Sequence, residues 1–132
     1  MIRSMLLLAL IAVIILSLAA CSPPVRGPLK LVELDSGCMV ELCIGDKLQL
    51  VLGANPTTGY LWEMASKDVT VVKQAGEPQF EADSDAIGSG GKVTLRFEAV
   101  AAGEELLQLV YHRPFETDLA PVNTFEVHVL VK

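Results

Sequence analysis

The chain has 132 residues, ten of them basic and sixteen acidic, which gives a formal net charge of −6. A chain of this length forms at most one domain, and its acidic balance disfavours nucleic acid as a partner because phosphate backbones are repelled. Its hydrophobic content of 52% is raised by one N-terminal apolar run and does not indicate a membrane domain.

Residues 1–20 have the composition of an export signal. Arg3 precedes a run at residues 5–20 that is apolar except for Ser17, and Cys21 follows at once. A run this short that ends in small residues is typical of a secretory signal, with an uncleaved membrane anchor as the alternative. The ending Leu18-Ala19-Ala20-Cys21 resembles the bacterial lipobox, after which the signal is cut and the cysteine is lipidated. This resemblance implies a lipid-anchored protein of the bacterial cell envelope, and Ser22 favours the outer membrane, facing the periplasm.

Residues 21–28 are predicted to be the lipidated cysteine and a flexible tether. Three prolines and a glycine between Ser22 and Pro28 prevent regular structure. Loss of the signal would leave nine of the ten basic residues beside the sixteen acidic ones. The remaining residues, 29–132, suffice for one modest core without a disulfide network.

Two cysteines, Cys38 and Cys43, lie within the predicted domain. If the segment GCMVELCIG is one extended strand, the two are roughly 16 Å apart at about 3.3 Å per residue. A disulfide tolerates Cα separations of only about 4.4–6.8 Å. We therefore expect Cys38 to be a small core residue, with a disulfide as the alternative if the strand is interrupted. Because His112 and His128 are distant and differently spaced, no metal or other cofactor is expected.

Hydrophobic residues after position 29 alternate with a period of two almost everywhere. In chain order, extended segments are predicted at residues 29–31, 38–44, 48–52, 61–64, 69–73, 93–99, 107–111 and 125–131, with residues 77–91 mostly loop. Short strands separated by turn residues indicate an all-β fold, an antiparallel sandwich or a small barrel. In a sandwich the connecting loops gather at the two ends, where several can form one surface.

Three loops carry more specific residues than a connection requires. Loop 1 is Asn55-Pro56-Thr57-Thr58-Gly59-Tyr60, loop 2 is Gly88-Ser89-Gly90-Gly91 and loop 3 is Arg113-Pro114-Phe115-Glu116. Taken singly, each is explained as a connector; Asn-Pro starts turns, for example, and Gly59 permits a positive φ. No nucleophile with its base, no pair of catalytic carboxylates and no metal cluster can be assembled from them, so an enzyme is not expected.

In this order, the three loops resemble those of the chagasin family, protein inhibitors of papain-like cysteine peptidases from protozoa and bacteria. The likeness runs from about residue 40 to 131 and includes Trp62 and the turn Ala102-Gly103. Loop 1 matches the family pattern at every position. Loop 2 has Ser89 where alanine is common, and loop 3 has Phe115 where tryptophan is usual.

The resemblance implies an immunoglobulin-like antiparallel β-sandwich with three binding loops at one end. It implies a reversible, tight-binding inhibitor that is a monomer, with loop 1 in the peptidase cleft and loops 2 and 3 at its two sides. Tyr60, Trp62 and Tyr111 are assigned mainly to the core and to support of the loops. An envelope lipoprotein of the same fold that binds a partner other than a peptidase is the alternative.

Overall fold

The computed structural model describes residues 27–65 and 67–132. In these residues there are nine strands: β1 Leu29–Val32, β2 Cys38–Leu42, β3 Lys47–Ala54, β4 Leu61–Met64, β5 Val72–Gln74, β6 Gln79–Ala82, β7 Gly91–Ala99, β8 Gly103–His112 and β9 Asn123–Val131. Two short 3-10 turns cover Glu33–Asp35 and Pro56–Thr58. The predicted signal sequence, the lipidated Cys21 and most of the predicted tether lie outside the described residues. Within the described ranges, no helix has the length and apolar character needed to cross a bilayer.

The strands form two sheets, which confirms the predicted all-β sandwich. One sheet has the order β1-β3-β7-β5, with β6 also paired to β7, and the other has the order β2-β9-β8-β4. The sheets are mixed and not purely antiparallel as predicted, because β1 runs parallel to β3 and β2 parallel to β9. Neither parallel pair is joined by a hairpin, which would have made it antiparallel. The alternation of apolar and polar residues shows which face of a strand a residue occupies, but it does not show the direction in which two strands pair.

The core lies between the two sheets and is built from alternate residues of the long strands. Side chains of β3, β7 and β9 that point inward are almost wholly inaccessible: Leu48, Leu50, Leu52, Leu95, Phe97, Phe125, Val127 and Val129. Their neighbours along each strand are more exposed, as the period of two requires. The predicted alternation of β7 is confirmed in full, from Val93 to Ala99.

The strand predicted at residues 38–44 ends two residues early, at Leu42. The carboxylate of Asp46 accepts a hydrogen bond from the Cys43 N–H at 2.9 Å, and the Asp46 N–H donates to the Cys43 carbonyl at 3.0 Å. This turn takes the chain out of the sheet before Ile44, so the predicted strand was two residues too long. Ile44 is 57% exposed.

The two cysteines are not joined by a disulfide. Cys38 is half-buried and packs against the core, as expected for a small core residue. Burial, with a smaller contribution from the negative charge of Asp35, raises the pKa of the Cys38 thiol. A thiol with a raised pKa stays protonated at neutral pH and is a poor nucleophile, so Cys38 has a packing role.

At the edge of the first sheet, one predicted strand is shifted and one observed strand was not predicted. The strand predicted at residues 69–73 is observed at Val72–Gln74, and residues 77–91, predicted to be mostly loop, also contain β6, Gln79–Ala82. All four residues of β6 are exposed, so no inner-facing hydrophobic pattern marks the strand. The strand forms by pairing with the first residues of β7, from Gly91 to Thr94.

The segment before β5 is held by one carboxylate. Glu105, on β8, accepts hydrogen bonds from the backbone N–H groups of Thr70 at 2.8 Å, Val71 at 3.2 Å and Val72 at 2.9 Å. Val71 and Val72 are buried, and a buried N–H without an acceptor is costly. Glu105 thereby satisfies the backbone donors at the entry to β5.

We expect Glu105→Ala to lower the free energy of unfolding by about 2 kcal/mol, since it leaves three backbone donors without their acceptor. Equilibrium unfolding in urea measures this change. Glu104→Ala, at the exposed neighbouring position, is the control and should shift the midpoint little. Equal effects of the two substitutions would show that the three hydrogen bonds do not stabilise the fold.

The strand directions place the three loops at one pole of the sandwich. Ala54 at the end of β3 pairs with Gly91 at the start of β7, and Tyr111 near the end of β8 pairs with Asn123 at the start of β9. Leu29 pairs with Leu48, at the other end of β3. The start of β1 therefore lies at the pole opposite the loops.

Candidate functional site

Loop 1 forms a closed turn held by its own hydrogen bonds. The Asn55 side-chain oxygen accepts from the Thr57 N–H at 3.2 Å and from the Thr57 hydroxyl at 2.6 Å. The Asn55 carbonyl accepts from the Thr58 N–H at 3.1 Å and the Thr58 hydroxyl at 2.6 Å. Gly59 ends the turn with φ of 81° and donates to the Pro56 carbonyl at 3.1 Å. Asn55 is thus an N-cap followed by proline at the first helical position, a favourable start for a tight turn.

Loop 2 contacts loop 1 through the other end of the Asn55 amide. The Asn55 side-chain nitrogen donates a hydrogen bond to the Gly88 carbonyl at 3.1 Å. Gly90 is close to the Asn55 side chain, since a Cβ on Gly90 would lie 3.8 Å from the Asn55 Cβ. Ser89 stabilises the loop internally, with its hydroxyl donating to the Gly90 carbonyl at 3.0 Å. One asparagine therefore both shapes loop 1 and links it to loop 2.

Loop 3 contacts loop 1 from another side through Arg113. The Arg113 Nε donates to the Thr58 carbonyl at 3.0 Å, and the guanidinium lies 4.4 Å from the centre of the Tyr60 ring, a cation–π contact. The same guanidinium pairs with Glu116 at 3.1 Å. The Phe115 ring covers Gly59, where a Cβ would lie 3.4 Å from two ring carbons. The three predicted loops form one continuous surface.

An aromatic cluster supports this surface from below, as predicted for Tyr60, Trp62 and Tyr111. The Tyr111 hydroxyl accepts from the Asn55 N–H at 2.9 Å. Its ring stacks on Trp62, with centroids 5.0 Å apart, and is tilted against Tyr60 at 5.5 Å. Trp62 is buried and its indole N–H donates to the Gly53 carbonyl at 2.9 Å. The base of loop 1 is therefore fixed to the core.

The predicted contact residues differ in accessibility. Those that are exposed are Pro56, Thr57, Thr58, Gly88, Pro114 and Phe115; those that are half-buried are Asn55, Gly59, Tyr60, Ser89, Gly90, Arg113 and Glu116. Gly91 is buried as the first residue of β7, where a Cβ would lie 2.0 Å from the Glu81 carbonyl oxygen. The close approach of β6 explains the glycine at this position without any contact to a partner.

Three strongly exposed apolar residues near this pole are not among the predicted contact residues: Ile87, Leu119 and Val122. Ile87 directly precedes loop 2 and its side chain is fully exposed. In the sequence, Ile87 stands out as the one large aliphatic residue in the polar, glycine-rich stretch at residues 83–91. Single exposed apolar side chains are common on soluble proteins, so exposure alone does not assign Ile87 a partner.

The pole carries more acidic than basic side chains. The connection at residues 83–90 contains Asp83 and Asp85 and no basic residue, and residues 113–122 contain Arg113, Glu116 and Asp118. In the part of the chain that the structure describes, no three His, Cys, Asp or Glu side chains are placed to bind a metal ion. The surface is thus built from a stiff turn, an arginine and exposed apolar side chains, the components of a protein interface.

Comparisons with known proteins agree with this architecture. The family described as "Chagasin family peptidase inhibitor I42" matches residues 41–129. Amoebiasin-1 of Entamoeba histolytica is 29% identical over 107 residues, which are 79% of this chain and all of that protein. Chagasin of Trypanosoma cruzi is 27% identical over 93 residues, 65% of this chain and 82% of chagasin.

A solved structure shares the fold. The cysteine protease inhibitor EhICP2 from Entamoeba histolytica superposes with a TM-score of 0.72 at 20% identity, covering 83% of this chain and all of that chain. The family match extends over more than half of the chain and includes all three loops. The chain therefore belongs to the chagasin family of peptidase inhibitors, proteins that inhibit proteases and are not enzymes.

Proposed function

We propose that this protein is a reversible, tight-binding inhibitor of papain-like cysteine peptidases that inserts loop 1 into the active-site cleft. Loops 2 and 3 contact the two sides of the cleft. The observation that carries the proposal is the placement of Pro56, Thr57 and Thr58 as an exposed apex, held on one side through Asn55 to Gly88 and on the other through Arg113 to Thr58.

The turn conformation of loop 1 explains how it would fill a cleft without being cut. A papain-like site attacks a carbonyl carbon held about 3–3.5 Å from the catalytic sulfur in aligned geometry. The carbonyls of Asn55, Pro56 and Thr58 already accept hydrogen bonds within the inhibitor. Their backbone is a 3-10 turn and not an extended segment. Peptide groups held in this way are not free to present their carbonyl carbons to the catalytic sulfur in the geometry that attack requires.

The rigidity of loop 1 also favours tight binding. Pro56 fixes its own φ and restricts Asn55, and the β-branched Thr57 and Thr58 have few side-chain rotamers. A loop that is ordered before binding loses less entropy in the complex, so more of the contact energy appears as affinity. Arginine and aromatic side chains commonly dominate interface energies, and Arg113 is already fixed by Thr58, Tyr60 and Glu116.

Titration of papain with the purified full-length chain in detergent tests this proposal. We expect a stoichiometric loss of activity, recovery on long dilution, and an inhibitor mass that is unchanged after incubation. Undiminished activity in a large excess of the chain would contradict the proposal and would favour a module that binds another envelope protein. Cleavage of the chain within loop 1 would contradict the wedge mechanism alone.

Phe115→Trp should strengthen inhibition. Phe115 is 72% exposed beside Gly59, where an indole would offer more contact surface and an N–H donor. We expect tighter binding by about 0.5–1.5 kcal/mol, the scale of one aromatic pair. Inhibition constants of the wild type, Phe115→Trp and Phe115→Ala measure the trend, and an equal or higher constant for the tryptophan variant would contradict it.

We also propose that the protein is anchored to the envelope through a lipid on Cys21, in the outer membrane and facing the periplasm. The position of Leu29 at the pole opposite the loops supports this, since an anchored domain would then present its loops away from the membrane. Mass spectrometry of the N-terminal peptide from membranes should show a chain that begins at a lipidated Cys21. A peptide that begins at Met1, or an unmodified Cys21, would refute it.

A further inference from the structure

An apolar groove lies beside loop 1, between the edges of the two sheets. One side is formed by β4, an outer strand of the second sheet, and the other by β6, which pairs with β7. The groove is lined by Pro56, Tyr60, Leu61, Trp62, Phe80 and Val93 among others, and has a volume of about 180 Å³. Among the residues that the structure describes, β4 and β6 belong to different sheets and are not paired, which leaves room for the groove between them.

The lining is suited to an apolar side chain. It contains no charged residue, and the indole N–H of Trp62 is already bonded to Gly53. Leu61 and Phe80 remain 40% and 41% exposed, so the groove leaves apolar surface in water. An apolar cavity of about 150 Å³ holds a benzene ring, so this groove has room for one aliphatic or aromatic side chain.

We propose that the groove receives an apolar side chain from the wall of the same peptidase cleft that loop 1 enters. The proposal rests on the function proposed above, and its support is continuity of surface. Pro56 and Tyr60 belong both to loop 1 and to the lining of the groove. A cleft that closes over loop 1 therefore brings its wall onto the groove.

The groove would act as a determinant of selectivity among peptidases. A target with an aliphatic or aromatic residue at that position of its wall gains burial against Leu61 and Phe80. A target with a charged residue there would have to desolvate it against a lining that offers no charge in return. The chain would then discriminate between peptidases that share the same catalytic residues.

Substitution of the groove residues tests the proposal with a matched control. Inhibition constants are measured for the full-length wild type in detergent and for Leu61→Gln, Phe80→Gln and Phe80→Leu. Leu106→Gln is the control, because Leu106 is 42% exposed on β8 and does not line the groove. Melting temperatures verify that each variant is folded, as expected for half-exposed positions.

We expect both glutamine variants to raise the inhibition constant about tenfold, the loss typical of one well-packed apolar contact. Phe80→Leu and Leu106→Gln should change it by less than about threefold. If the wild type inhibits and the folded glutamine variants inhibit equally well, the groove proposal is overturned while the proposed function stands. A wild type without inhibition overturns both. Sedimentation as a dimer that the glutamine variants dissociate would overturn the proposal in favour of a second copy in the groove.

Discussion

Gly91→Ala is expected to lower the free energy of unfolding by about 3 kcal/mol, the upper range for forcing an extra methyl into packed structure. The new Cβ would lie 2.0 Å from the Glu81 carbonyl oxygen and 2.8 Å from the Ala82 Cα. Both neighbours are backbone atoms of β6, so rotation of a side chain cannot relieve the overlap. The strand must move away from β7, at the cost of its hydrogen bonds.

Urea unfolding measures this change, and Gly53→Ala provides the control. Gly53 is a strand residue of the same sheet, and a Cβ there would meet only the end of the flexible Glu33 side chain, at 3.4 Å. We expect Gly53→Ala to change the free energy of unfolding by less than about 1 kcal/mol. An unchanged midpoint for Gly91→Ala would show that β6 is not held against β7 as the structure has it.

Asn55→Ala is expected to weaken inhibition about a hundredfold, or about 2.7 kcal/mol. The substitution removes two hydrogen bonds that shape loop 1 and one that links it to Gly88, each worth about 1 kcal/mol. The core is untouched, so the stability of the domain should fall only by about 1 kcal/mol, as for loss of an N-cap. The loss of affinity would come from a loop that must be ordered on binding.

Two further variants separate the contributions of the Asn55 amide. Asn55→Asp keeps the oxygen that caps the turn but loses the donor to Gly88, so we expect an intermediate loss of inhibition. Asn123→Ala is the control, because Asn123 also accepts a local backbone hydrogen bond, from Thr124 at 2.8 Å, but does not link two loops. An inhibition constant for Asn55→Ala within about threefold of the wild type would contradict the role of preorganisation.

The sequence predicted the fold class and the inner faces of the long strands well, for a physical reason. In β7 each buried residue is followed by a more exposed one, and a strand covered on one face must show this alternation. Pairing direction leaves no such trace, so the parallel arrangements of β1 with β3 and β2 with β9 were not predicted. The edge strand β6 was missed because all four of its residues are exposed, so it shows no alternation of buried and exposed positions.

The three loops of the candidate site were predicted, but the hydrogen bonds that link them were not. Alternation placed loops between strands, and the resemblance to a family supplied their placement at one end. The links themselves depend on pairs far apart in the chain, such as Asn55 with Gly88 or Thr58 with Arg113. Local sequence patterns carry no information about such pairs. Gly91 was assigned to a predicted loop as a contact residue. In the structure a glycine is required there because β6 lies too close to leave room for a Cβ.

Disulfide trapping tests most directly whether loop 1 reaches the catalytic centre of a peptidase. Thr57→Cys places a thiol at the exposed apex of the loop. Thr70→Cys is the control, because it places a thiol at an exposed position beside the turn of Val100 and Ala101, near the opposite pole. Under mild oxidation with papain, we expect the new cysteine of Thr57→Cys to form a mixed disulfide with the catalytic cysteine, above the background of the wild type. Trapping at Thr57→Cys no faster than at Thr70→Cys would contradict it.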